Sequence, residues 1–60
     1  MDKSKCAVGQ LVVNTMTFAL PAGIAARTMG RVIECLPEEV WVQFPGNKRI
    51  RVPYDAVEPL

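Results

Sequence analysis

The feature that most constrains this chain is a pair of short alternating segments around one turn. Residues 39–44, Glu-Val-Trp-Val-Gln-Phe, and residues 49–52, Arg-Ile-Arg-Val, flank Pro45-Gly46-Asn47-Lys48. Successive side chains of a strand point to opposite faces. Val40, Val42 and Phe44 therefore share one face, and Trp41 and Gln43 the other. Ile50 and Val52 form the apolar side of the second segment, and Arg49 and Arg51 its polar side. Cross-strand partners must share a face, because a one-residue slip turns every side chain over. Phe44 is expected opposite Ile50 and Val42 opposite Val52, with Gly46-Asn47-Lys48 as a three-residue loop. Such loops need a left-handed position, which Gly or Asn fills.

The same reasoning extends backwards. Gly30 opens a strand over residues 31–36, and Pro37-Glu38 makes a turn into residues 39–44. Ile33 is expected opposite Val42, and Cys35 opposite Val40. Cys35 is then a small core hydrophobe, a frequent role for cysteine. The outward face that follows carries Glu34, Trp41, Gln43 and Arg51, with Arg49 close by.

Residues 8–13 are rich in β-branched side chains and read as a first strand. Residues 14–29 keep no sustained period, and Pro21 and Gly23 interrupt any helix there. They are expected to form a long loop folding back over the domain on Phe18, Leu20 and Ile24. After residues 49–52, Pro53 ends the ladder, Tyr54-Asp55-Ala56 suits a 3-10 turn, and residues 57–60 form a last short strand. Residues 1–7 read as a flexible tail and residues 8–60 as one all-β domain of five strands.

In this frame the order of features resembles the SH3-like small barrels. The likeness runs through Val8-Gly9-Gln10-Leu11-Val12-Val13, the long loop, Gly30-Arg31-Val32-Ile33, Val40-Trp41-Val42-Gln43-Phe44 and the closing residues 52–60. KOW and Tudor-type modules share the glycine before the second strand and the short turn before the last. The resemblance implies a five-stranded barrel and a binding role: RNA or transcription and translation proteins for KOW modules, peptides for Tudor-type modules. The tail Pro53-Tyr54-Asp55-Ala56-Val57-Glu58-Pro59-Leu60 is also similar to the closing segment of the plasmid-borne type II dihydrofolate reductases, which assemble around a catalytic pore. Their pore motif is Val-Gln-Ile-Tyr, and the aligned residues here are Arg49-Ile50-Arg51-Val52. A pore-forming oligomeric reductase is thus a third reading, without the motif that would carry its chemistry.

Composition narrows the chemistry further. The chain has 60 residues, half of them hydrophobic, and a net charge of +1. That length allows one domain and a small core. Near-neutrality removes the strong basic balance typical of nucleic-acid binders. No apolar run approaches the ~20 residues of a membrane span, and no apolar stretch follows the first basic residues as in a signal peptide. A cytoplasmic protein that does not engage membranes is expected. Cys6 and Cys35 are far apart, and there is no histidine to complete a metal site. In the cytosol two free thiols are expected. Without histidine the commonest general base is missing, and Ser4 is the only serine. No catalytic residues, metal or cofactor are assigned, and the protein is not expected to be an enzyme.

The candidate binding surface is Trp41, Gln43, Lys48, Arg49, Arg51 and Tyr54. An indole on a polar strand face can stack a base or hold a peptide proline. Its structural alternatives are cover by the long loop or burial between two copies of the chain. Lys48, Arg49 and Arg51 could contact phosphates. They could equally form a solvated hairpin, with Arg51 paired to Glu34 or Glu39. Arg31 could extend that basic surface, whereas Arg27 reads as a solvated loop charge. Tyr54 sits where SH3-like grooves often present an aromatic, or else packs on the end of the domain. The expected function is a non-catalytic adaptor that binds another protein or a second copy of itself. The rival is a KOW-like nucleic-acid module.

Overall fold

A computed structural model describes residues 1–15 and 21–60. Five strands form one antiparallel sheet: β1 (Leu11–Asn14), β2 (Met29–Cys35), β3 (Glu39–Phe44), β4 (Lys48–Pro53) and β5 (Val57–Pro59). Their order is β4-β3-β2-β1-β5. Short 3-10 turns occupy Lys3–Lys5, Pro21–Gly23 and Tyr54–Ala56. Among the described residues there is no α-helix, and no helix is long and apolar enough to cross a membrane. β4 and β5 are the two edges and do not pair with each other, so the sheet is open.

The inner face of the sheet holds the core. Val12, Val32, Val40, Val42, Phe44, Val52 and Val57 are almost fully buried there, joined by Ile24 from the long connection and Ala56 from the last turn. β-Branched side chains suit this half-buried pleated surface. Ile24 is thus an anchor, as expected; Phe18 and Leu20 lie outside the described residues.

Gly30 sits at the tightest point of this core. A Cβ there would come within 2.7 Å of Val42 Cγ1, 2.8 Å of Phe44 Cδ1 and 2.9 Å of the Gln43 carbonyl oxygen. The missing side chain is what lets β2 lie close over β3.

The β3–β4 hairpin differs from the expected register by two residues. Val42 faces Ile50, Val40 faces Val52 and Phe44 faces Lys48. The loop is Pro45-Gly46-Asn47, with Gly46 (φ 84°) and Asn47 (φ 63°) both left-handed, so Lys48 is free to join the strand. A two-residue shift preserves the faces, and the in/out assignments of β3 and β4 stand. On the other side Cys35 faces Val40 as expected, but Val32, not Ile33, faces Val42. A bulge between Val32 and Glu34 absorbs Ile33 as the extra residue.

β1 is shorter than residues 8–13, yet the chain before it remains bonded to β2. The Gly9 amide donates to the Val32 carbonyl and the Val32 amide to the Gln10 carbonyl. Asn14, at the end of β1, is a fully buried polar residue. Its Nδ2 donates to the carbonyls of Ile24 (3.4 Å) and Ala25 (3.0 Å). Its own amide donates to the Thr28 carbonyl, and its carbonyl accepts from the Arg27 amide. One side chain and its backbone thereby pin the far end of the long connection. Arg27 takes a left-handed φ of 69° at this point.

Residues 1–7, expected as a flexible tail, contact the domain at both ends, through Met1 and Cys6. Met1 is buried, and its amino group donates to the carbonyls of Tyr54 and Val57, each at 2.7 Å, and to Glu58 Oε1 at 3.0 Å. Asp2 caps the turn that follows through the Ser4 amide. The two cysteines, expected as free thiols, form a disulfide between Cys6 and Cys35 with Cα atoms 6.2 Å apart. The segment is tied down because a buried ammonium needs several acceptors and finds three, while the crosslink holds its other end to β2.

Candidate functional site

The registers generate two rows of side chains across the outer face. Arg31, Gln43 and Arg49 form one, and Glu34, Trp41 and Arg51 the next. Alternation within β3 places Trp41 and Gln43 there, because Val40, Val42 and Phe44 take the core positions. The face holds Trp41, Gln43, Arg49 and Arg51 together as the sequence implied, and Arg31 extends it beside Gln43.

Trp41 is half-buried at the centre of this surface. The Arg51 guanidinium lies over its ring, 5.9 Å from the centroid, within reach of a cation–π attraction. Arg51 Nε also meets Glu39 Oε1 at 3.1 Å. Arg51 is therefore already neutralised, as in the solvated-hairpin alternative. Gln43 donates from Nε2 to Asn47 Oδ1 at 3.1 Å, which ties it to the hairpin turn. Lys48 and Arg49 are exposed. Arg49 has no ion pair among the described residues.

Tyr54 is not part of this surface. It is 8% exposed in the core cluster, and its hydroxyl donates to the Leu36 carbonyl at 2.6 Å. The 3-10 turn aims the ring inward, and the buried hydroxyl finds the end of β2 as its acceptor. Arg27, read as a solvated loop charge, is exposed, and its backbone belongs to the Asn14 clasp.

The half of the outer face beyond Arg31 was not singled out in the sequence. Val8, Leu11 and Met29 are exposed large hydrophobics, 71%, 45% and 55% accessible. With Ile33 and Pro45 they line an open groove of about 670 Å³, to which Arg31 and Gln43 also contribute. One signal was present. Residues 11–13, Leu-Val-Val, are apolar on both parities, the pattern of a strand covered on both sides.

No family model, no curated protein and no solved structure matches the chain.

Proposed function

We propose that the protein is a non-catalytic binding module of the SH3-like barrel type, and that Trp41 and its neighbours receive a segment of another protein. The barrel reading is supported by the element order: a long connection after β1, two tight hairpins, and a 3-10 turn between β4 and β5. The observation that carries the binding reading is the half-buried Trp41 at the middle of its row, with exposed Arg49 diagonal to it in the next. Aromatics and arginines in such central positions dominate protein interfaces. A ligand side chain with an apolar or aromatic body would pack on the accessible indole, and a neighbouring carboxylate would meet Arg49.

A phosphate-directed role for the same face is weaker on electrostatics. Arg51 is paired with Glu39, and Glu34 stands directly beside Trp41 on the outward side. Both carboxylates repel a phosphate chain. The disulfide is a crosslink that persists in oxidising compartments and is rare in the cytosol, so it favours the former over a cytoplasmic location.

The test is a ¹H–¹⁵N NMR titration at low salt, first with short single- and double-stranded oligonucleotides and then with partner segments recovered by crosslinked pull-down. Peptide-induced shifts at Trp41, Gln43 and Arg49 that persist at high salt support the proposal. Oligonucleotide-induced shifts at the same residues, reversed by salt, would replace it with the nucleic-acid reading.

A further inference from the structure

We infer that the segment received at Trp41 is a short extended strand with opposite charges at its two ends and an apolar side chain between them. The inference deepens the binding reading given above and rests on it.

Two charges beside the indole have no partner within the chain. Glu34 pairs with Trp41 across β2 and β3, and Arg49 lies diagonal to Trp41 on β4. Both are exposed. Neither makes an ion pair or a side-chain hydrogen bond among the described residues. Residues 16–20, Met-Thr-Phe-Ala-Leu, contain no charged side chain to supply one. The other charges of this face are engaged. Arg51 holds Glu39 and covers the ring, and Arg31 Nη1 donates to the Gly9 carbonyl at 2.9 Å. Lys48 pairs with the inward Phe44 and so belongs to the other side of the sheet.

Spacing identifies the occupant. Directly opposed residues of a sheet lie about 5 Å apart, and diagonal neighbours about 7–8 Å. Glu34, Trp41 and Arg49 thus mark a path over three strands whose ends are roughly 12 Å apart, with the indole in the middle. An extended segment advances about 3.3 Å per residue and turns every second side chain to the same face. Its residues i, i+2 and i+4 therefore span about 13 Å and meet the three positions in turn. A basic side chain at one end lies against Glu34, an apolar one packs on the indole, and an acidic one at the other end meets Arg49. The length of the Arg49 side chain takes up the bend in the path. On a helix the same contacts need i, i+4 and i+8, a length at which an isolated helix is marginal in water.

Both charge pairs are exposed, so each adds only about twofold to fivefold in affinity, and salt screens them. The apolar contact with Trp41 is not screened.

An NMR titration of the oxidised ¹⁵N-labelled 60-residue protein with three end-blocked peptides tests this: Lys-Ser-Phe-Ser-Glu, Lys-Ser-Phe-Ser-Lys and Glu-Ser-Phe-Ser-Glu. At low salt the first should bind about twofold to fivefold more tightly than either of the others, with shifts at Glu34, Trp41 and Arg49. Glu34→Lys should make Glu-Ser-Phe-Ser-Glu the tightest ligand, and Arg49→Glu should do the same for Lys-Ser-Phe-Ser-Lys. Added salt should level these preferences while the Trp41 shifts remain. Equal affinity for all three peptides, with shifts at Trp41, would overturn the charge assignment and leave the Trp41 binding reading intact. No shift at Trp41 with any peptide would overturn both. Should either variant fail to fold, the ranking of the three peptides on wild type decides.

Discussion

Arg51 covers the indole of Trp41 at 5.9 Å while its Nε holds Glu39 at 3.1 Å. The guanidinium joins three strand positions on the outer face: residue 41 and its neighbour 39 on β3, and residue 51 on β4. Both ends of the Glu39–Arg51 pair are about half exposed, 41% and 55%, so solvent screens it heavily. Arg51→Ala should therefore change the unfolding free energy by less than about 1 kcal/mol. Its larger effect should be on Trp41 fluorescence, whose emission should shift to the red as the ring loses its cover. An unchanged spectrum would mean that the stacking does not persist in solution.

The closest approach in the core gives a stability prediction. Gly30→Ala places a Cβ against Val42, Phe44 and a backbone carbonyl that cannot move aside. Overpacking of this kind costs about 1–3 kcal/mol. For so small a core that is a large share of a total of roughly 3–5 kcal/mol. Urea unfolding monitored through Trp41 should show a lower midpoint with little change in slope, and a wild-type midpoint would show that β2 does not pack as described.

Asn14 offers a test of the long connection. Its amide donates to two backbone carbonyls in a fully buried position. Asn14→Asp keeps the shape and, when ionised, removes the donor. Leaving buried acceptors facing a carboxylate should cost at least about 1–3 kcal/mol. Hydrogen exchange should accelerate first at the amides of Asn14, Arg27 and Thr28, all bonded in or beside the clasp. Protection lost evenly over the whole sheet would instead point to global destabilisation.

The disulfide predicts that the oxidised protein has no thiol titratable without reductant, even after unfolding. The bond closes a separation of 29 residues. Loop-closure entropy then assigns it about 3–4 kcal/mol. Addition of reductant should lower the thermal midpoint markedly and raise hydrogen exchange in residues 1–7. Rapid labelling of Cys6 in the untreated protein would sink this pairing.

Much of the sheet was legible because it rests on a short-range rule. Alternation in residues 39–44 and 49–52 decides which side chains face in, whatever the loop does. For that reason Val40, Val42, Phe44 and Val52 lie in the core and Trp41, Gln43, Arg49 and Arg51 outside, although the hairpin register is shifted by two. The bulge at Ile33 was not legible. An extra residue costs the same local pattern whether it is absorbed in a strand or in a turn, and only the fit of β2 over β3 selects the strand.

The binding surface divides along the same line. Local pattern alone determined that one face would carry an indole among cations, and that the domain would be all-β. The tertiary structure decided the rest. It drew Tyr54 into the core, where its hydroxyl meets Leu36, and it joined Cys6 to Cys35 across 29 residues. It folded Met1 against Tyr54 and Val57, and it gathered Val8, Leu11, Met29 and Leu60 from three separate stretches into one patch. The physical reason is range. Strand alternation is set by the covalent geometry of neighbouring residues, whereas crosslinks, buried ammonium contacts and surface patches depend on which distant segments the sheet topology brings side by side.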